Sequence, residues 1–282
     1  MKAPECFETL VRNGLVDEVV SRLMSGKEAD VYVVQSKGKL CCAKVYKEAR
    51  TRSFSQLAQY QEGRKGRNSR QARAMQKNTK YGRKETEAAW KNSEVDALRT
   101  LADAGVRVPQ VYDYVDGVLL MEFVVDAEGC AAPRLNDLRL SEAKALEYYH
   151  EVIRNIVLML CAGIIHGDLS EYNVLVGCDG LVIIDLPQAV NASGNNNARI
   201  MLERDVENIT AYFGRFAPEL IATDYGREIW KLYASGKLST TSELTGFFEQ
   251  NSAPADVNGV MREIDYARIL YQRTLARKTQ LS

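Results

Sequence analysis

The stretch His166-Gly167-Asp168-Leu169-Ser170-Glu171-Tyr172-Asn173-Val174-Leu175, followed by Ile183-Ile184-Asp185-Leu186-Pro187-Gln188, decides how the rest of the chain is read. Asp168 and Asn173 stand five residues apart on a short loop, and Asp185 follows twelve residues after Asn173. Between them, 173–176 and 181–184 are short apolar runs, and Gly177-Cys178-Asp179-Gly180 is a tight hairpin signal. A hairpin of that length brings Asp185 back beside the loop that carries Asp168 and Asn173. One carboxylate can then accept a proton from a substrate hydroxyl. An amide and a second carboxylate can hold Mg²⁺ against phosphates.

The layout matches the kinase order of an Asp, four spacers, an Asn and a later metal-binding Asp. It has His-Gly-Asp where the commonest protein kinases have His-Arg-Asp, and Asp-Leu-Pro where they have Asp-Phe-Gly. An activation loop that needs an arginine before the catalytic Asp is not expected. The bland alternative is a chance meeting of two polar loop residues and a strand-end Asp, so the rest of the chain must supply the context.

Composition excludes several classes. Lys plus Arg and Asp plus Glu are balanced at 37 each, which gives no overall attraction to nucleic acid or membrane. The 46% apolar content suffices for a core. The six cysteines (6, 41, 42, 130, 161, 178) include no C-x-x-C pair and there are two histidines, so free buried thiols are expected rather than zinc. The longest apolar run, Ile156 to Ile165, has ten residues, too few to span a bilayer. With no basic-then-apolar signal segment, the reading is a soluble cytoplasmic protein.

Upstream, residues 5–13 have the spacing of a short helix with Phe7, Leu10 and Val11 on one face, ended by Gly14. Two β-rich runs, 19–24 and 31–34, flank Ser25-Gly26-Lys27-Glu28-Ala29-Asp30. Strand, small polar loop, strand is the form of a phosphate-covering loop, in which backbone N–H groups and the Ser25 hydroxyl approach phosphates. An ordinary hairpin turn is the competing reading. A turn at 36–39 leads to Leu40-Cys41-Cys42-Ala43-Lys44-Val45-Tyr46. Lys44 inside this apolar strand resembles the lysine presented to α- and β-phosphates in kinases, and it needs a partner. Helical spacing of Ala88, Ala89, Val95, Leu98 and Leu101 over 85–104 carries two candidates, Glu87 and Glu94. Glu94 is preferred, since it adjoins the apolar stripe.

Residues 47–91 hold thirteen Lys/Arg against four Glu, a local +9. Much of 48–84 is expected to be mobile, with a short helix near 53–62. It could grip RNA or an acidic partner, dock substrate, or be a solvated insertion; Ser53, Ser55, Ser69 and Thr79 in it are candidate self-phosphorylation sites. Val106 to Pro109 is expected to return the chain to a sheet. A hairpin about Asp116-Gly117 then joins 110–115 to 118–125. In a kinase its second strand would end at the hinge, where backbone groups near Glu122 and Val124 meet adenine and Met121 borders the pocket. Ser141 can cap a helix to Cys161 with Ala145, Tyr149, Val152, Ile156 and Leu160 inward. A helix over 198–213 carries Arg204-Asp205, and Asp205 could accept backbone N–H bonds from the His166-Gly167 turn. Further helices are expected near 217–234, 241–250 and 256–277.

Five ordered motifs, namely 25–32, 43–46, 119–123, 166–173 and 185–188, together resemble the RIO family of atypical serine/threonine kinases over about residues 14–215. The resemblance implies an α+β, two-lobed protein-kinase-like fold, with a small β-rich N-lobe (1–124) and a reduced, mainly helical C-lobe (125–282). It implies ATP with Mg²⁺, Mn²⁺ being an alternative ion. Asp168 is then the catalytic base, Asn173 and Asp185 are metal ligands, Ser25 and Lys27 contact phosphate, and Lys44 pairs with Glu94. The basic insertion and the Ser-Gly-Lys-Glu-Ala loop look like one branch, Pro187-Gln188 like another, and the compact chain like a bacterial member.

Two mechanisms are compatible with these residues. Either Asp168 orients a Ser/Thr hydroxyl of a protein substrate or of the chain itself, or Asp185 accepts the phosphoryl group in an ATPase switch. An aminoglycoside or choline phosphotransferase shares parts of the pattern. An RNA-binding or scaffold pseudokinase, with RNA or ribosome contact through 47–91, is the non-enzymatic alternative.

Overall fold

The computed structural model describes residues 6–26, 29–47 and 93–248. The sequence hairpins assemble into one antiparallel sheet of β1 (Glu18–Ser25), β2 (Ala29–Ser36), β3 (Lys39–Tyr46), β4 (Val111–Val115) and β5 (Val118–Glu122), in the order β1-β2-β3-β5-β4. Two turns close by the same device. Lys37 and Gly38 have φ of 50° and 74°, and Asp116 and Gly117 have 50° and 79°. Positive φ at both central residues matches the right-handed twist of the strands. The sheet places Lys44 on a central strand, opposite Leu119 of β5 and Val31 of β2.

Helix α1 (Cys6–Arg12) seals the outer face of the sheet through Phe7 and Leu10, with Phe7 edge-on to Tyr32 at 5.2 Å. Val11 is 46% exposed, contrary to its expected inward position; one turn of contact accommodates Phe7 and Leu10 and leaves Val11 at the rim. On the inner face, helix α2 (residues 93–103) buries Val95, Leu98 and Leu101. The remainder of the expected 85–104 helix, with Glu87, Ala88 and Ala89, lies outside the described residues. So do the 48–84 segment, its short helix, its four candidate phosphorylation sites and the 256–277 helix. Val106 to Pro109 does not join the large sheet. The Arg107 carbonyl accepts the Ile183 N–H at 2.9 Å instead, tying this segment to the hairpin beyond the 166–173 loop.

The following part is mainly helical. Ser141 caps α3 (Glu142–Cys161) by accepting the Lys144 N–H, and Ala145, Tyr149, Val152, Ile156 and Leu160 are all buried, as the spacing requires. Tyr149 is the hub: its hydroxyl bonds Thr210 and Thr223 at 2.9 Å each, while its ring meets Phe213 and Tyr225 edge-on. Full burial of such a side chain contributes about 1.5–3 kcal/mol, and its satisfied hydroxyl avoids the penalty of a buried unpaired group. Helices α4 (Ala198–Phe213) and α5 (Tyr225–Ala234) pack with it.

Two expectations fail here. The 217–234 helix is a 3₁₀ turn at Pro218–Ala222 followed by α5, because Thr223 is extended and Asp224 caps a new helix by accepting the Arg227 N–H. Residues 241–248 are not helical: Glu228 takes the Thr245 and Gly246 N–H groups at 2.8 Å each, and Gly246 has φ of 74°. A carboxylate on a neighbouring helix thus captures donors that a helix would use internally. Two small ladders complete the fold: β6 (Ile164–Ile165) with β9 (Val190–Asn191), and β7 (Val174–Gly177) with β8 (Gly180–Ile183).

Candidate active site

Lys44 joins three segments that are distant in sequence. Its Nζ lies 2.6 Å from Glu94 Oε1 on α2 and 2.7 Å from Asp185 Oδ1 beyond β8. Lys44 is 8% exposed and Glu94 2%, so the pair is interior. Burial alone would lower the Lys44 pKa, but the two carboxylates outweigh it and raise it above the ordinary lysine value. Tyr46, two residues on and therefore on the same strand face, donates its hydroxyl to Glu94 Oε2 at 2.6 Å. Both oxygens of the buried glutamate are thereby engaged, and burial drives the Tyr46 phenol well above its normal range.

Ser25 pairs with Asp30, and the Gly26 N–H donates to the Ala29 carbonyl at 2.9 Å. A Cβ on Gly26 would sit 3.3 Å from that carbonyl oxygen. Lys47 Nζ reaches Ser25 Oγ (3.1 Å), the Gly26 carbonyl (2.7 Å) and Asp30 (3.0 Å), while Arg22 meets Asp30 at 2.6 Å. Burial opposes ionisation of Asp30, but hydrogen bonds from Ser25, Arg22 and Lys47 prevail and hold its carboxyl at about 2. Lys27 lies outside the described residues.

The catalytic-loop candidates are held from below by one face of α4. Gly167 has φ of 80°, a conformation that favours glycine, and its N–H donates to Asp205 at 2.7 Å. Leu169 N–H donates to the other Asp205 oxygen at 3.0 Å, Asn208 bonds the Leu169 carbonyl at 3.1 Å, and Arg204 bonds the Gly167 carbonyl. His166 accepts the Asp168 N–H at Nδ1 and donates from Nε2 to the Ile184 carbonyl at 3.0 Å, which couples the loop to the residue before Asp185. Asn173 donates its amide to the Asp168 carbonyl at 2.9 Å, and its own carbonyl accepts the Ile184 N–H at 3.0 Å. Asn173 is therefore set opposite Ile184, the residue before Asp185, at the end of the β7–β8 ladder. Asp185 itself has φ of 67°. Its surroundings oppose ionisation, but Lys44 pulls its carboxyl below the usual range. Asp168 shifts the opposite way: desolvation raises it, and the like charge of Asp185 adds to that.

Asp205→Asn tests the loop support. An amide offers one acceptor where two N–H donors wait, so either the Gly167 or the Leu169 N–H is stranded. The expected cost is about 1.5–3 kcal/mol, read by denaturant unfolding. Burial pushes the Asp205 carboxyl up to about 6. The folded state therefore holds a proton that the unfolded state has released, and this group's contribution to stability falls as pH rises from the ordinary carboxylate range to about 6. The Asn variant lacks that slope.

At the end of β5, the Glu122 side chain turns to Arg107 (2.6 and 2.8 Å), which also meets Asp179 of the β7–β8 turn at 3.2 Å. The Glu122 N–H donates to the Gln110 carbonyl and the Val124 carbonyl accepts the Ala132 N–H. Those two groups are used by the protein itself. Met121 is partly buried on β5, opposite Cys42. The Arg107 bridge had no signal in the sequence, since Asp179 is 72 residues away.

Among the described residues no three His, Cys, Asp or Glu side chains are grouped as metal ligands. The donor set that does exist, the Asn173 amide and the Asp185 carboxylate, consists of hard oxygens. It fits Mg²⁺, which takes one or two protein ligands and completes its shell with phosphate and water.

An antiparallel sheet bearing a lysine paired to a helix glutamate, joined to a helical part bearing the Asp-x₄-Asn loop and a further Asp, defines a protein-kinase-like fold. The chain belongs to the RIO family: residues 30–225 match the RIO domain. It is 31% identical over 212 residues to the serine/threonine-protein kinase rio1 of Schizosaccharomyces pombe, covering 73% of this chain and 40% of that protein. It is 32% identical over 208 residues to the RIO-type serine/threonine-protein kinase Rio1 of Haloferax volcanii, covering 73% and 67%. The fold is shared with the Rio2 kinase of Chaetomium thermophilum, solved as an ADP/Mg²⁺-phosphoaspartate complex, with a TM-score of 0.54 at 20% identity over 83% of this chain and 73% of that one.

Proposed function

We propose that this chain is an ATP- and Mg²⁺-dependent atypical serine/threonine protein kinase acting on a protein hydroxyl, its own included. The observation that carries this reading is the convergence of Lys44, Glu94 and Asp185, at 2.6 and 2.7 Å, beside the loop of Asp168 and Asn173. In this reading a Ser or Thr oxygen attacks the γ-phosphorus as the bond to the ADP oxygen breaks, and the hydroxyl proton passes to Asp168. Lys44 holds the α- and β-phosphates, and the Ser25-Gly26-Lys27 turn covers them. Glu122 and Val124 receive adenine beside Met121. Asn173 and Asp185 would hold Mg²⁺, which neutralises charge on the phosphates; Mn²⁺ would suit the same oxygens.

A second reading is favoured by one feature. Lys44 keeps Asp185 ionised and engages its Oδ1, and Oδ2 has no hydrogen bond among the described residues, so Oδ2 can attack the γ-phosphorus as the bond to the ADP oxygen breaks, giving an acyl phosphate and ADP. Incubation with γ-labelled ATP and Mg²⁺ separates the two. Label that survives acid and is lost in strong alkali supports transfer to Ser or Thr. Label released by hydroxylamine moves the chemistry to Asp185.

Turnover with aminoglycosides or choline would favour a small-molecule phosphotransferase. Salt-sensitive RNA binding without ATP turnover would favour a scaffold. Contact with RNA or ribosomes through 47–91 and a cytoplasmic location belong to this proposal. No helix of the described residues is long and apolar enough to cross a membrane. A bacterial source is likewise part of this proposal; the relatives named above are archaeal and eukaryotic.

A further inference from the structure

Arg134 is a cation between the strand that follows Asn173 and the end of β1, and the chemistry above leaves it unused. Its backbone bridges Leu175, two residues after Asn173, and the carbonyl of Pro133 accepts the Val176 N–H at 2.9 Å. The root of the side chain is therefore fixed by the strand that follows the catalytic loop. From there the guanidinium crosses to the sheet, where Nη2 lies 2.9 Å from the sulfur of Met24, the residue before Ser25. Among the described residues it forms no ion pair. Arginine carries five donors and a thioether is a weak acceptor, so most of its hydrogen-bonding capacity is unspent. Its charge also reaches Asp185: burial opposes ionisation there, and Arg134 adds to the effects of Lys44 and His166 in overcoming it.

We propose that Arg134 binds the polyphosphate of the bound nucleotide, exchanging the Met24 sulfur for phosphate oxygens. The proposal rests on the nucleotide reading of the cleft and adds a contact to it. Three features favour phosphate as the ligand. The planar fork matches phosphate oxygens, the side chain ends beside the turn that would cover phosphates, and its acceptor among the described residues is a weak one. Arg134 reaches the sheet from the catalytic-loop side and so complements Lys44, which reaches down from the sheet.

Equilibrium binding of ATP, ADP and adenosine, measured by calorimetry in the presence of Mg²⁺, tests it without reliance on turnover. Arg134→Met is expected to weaken ATP and ADP by roughly 10- to 100-fold, the loss of a charge-assisted bond, and to leave adenosine unchanged. Arg134→Lys should recover part of the ATP affinity, since it restores charge but not the fork. Unaltered ATP affinity in Arg134→Met overturns the proposal. So does an equal loss for adenosine, which would mark a distorted cleft in which Arg134 merely closes against Met24. If the unmodified chain binds ATP no better than adenosine, the polyphosphate site itself fails; if it binds neither, the nucleotide reading fails as a whole.

Discussion

Asp168→Ala lowers phosphate transfer to hydroxyl substrates by about 10²–10⁴-fold, the range for loss of a general acid–base group, and largely spares ATP binding. The geometry makes this substitution clean. Among the described residues the Asp168 carboxylate has a single long hydrogen bond, 3.4 Å from the Gln188 amide. The bonds that shape the loop use its backbone: its N–H to His166 and its carbonyl from Asn173. Alanine keeps both. No short bond of the fold is lost with the carboxylate, so unfolding free energy should scarcely move. The pH profile gives an independent check. Desolvation raises the Asp168 carboxyl, so the rising limb of the wild-type rate, where the base ionises, lies above the ordinary aspartate range. Residual turnover by the Asp168→Ala variant lacks that limb. Near-normal transfer in the variant would sink the assignment of Asp168 as base.

Lys44→Met produces the largest combined effect. ATP turnover falls by about 10²–10³-fold, as when a preorganised electrostatic contact is removed. Stability falls by about 3–5 kcal/mol, because Glu94 is left as a buried charge without its ammonium. Tyr46 still donates to one glutamate oxygen and softens that loss. Adding Glu94→Gln removes the stranded charge, so the double variant should regain much of the stability and none of the turnover. A double variant as unstable as Lys44→Met would show that packing, not charge, dominates. The sign with pH follows from the raised Lys44 pKa. Its contribution is complete at and below the ordinary lysine value and is lost only as pH rises through the higher folded value. Asp185, with its lowered pKa, contributes above the ordinary aspartate range and loses that contribution as pH falls.

Much of this site was legible because burial constrains charge. A lysine inside an apolar strand requires a carboxylate, and helical phase placed Glu94 beside Val95 and Leu98, so the pair follows from residue order alone. The Gly-Cys-Asp-Gly turn likewise returned Asp185 to Asn173. Asp205 was legible in the same way, as a carboxylate on an apolar helix face near a turn with spare N–H groups. Tyr46 could have been found: strand alternation puts it on the face of Lys44, and a buried phenol needs an acceptor. The helix expected at 241–250 was misplaced in its described part because the competing partner, Glu228, belongs to another element.

The sequence by itself determined the chemistry. Residue types at fixed local spacing specify hairpins, helix faces and the presence of Lys44, Asp168, Asn173 and Asp185, since turn conformations and periodicity act over a few residues. Only the tertiary structure decided the contacts between groups that no local pattern pairs. Arg107 joins Glu122 to Asp179, three residues of one α4 face hold the 167–169 loop, and Arg134 ends beside Met24. Those outcomes depend on how separate elements pack, and a side chain's partner is set by distance in space, which local spacing does not encode.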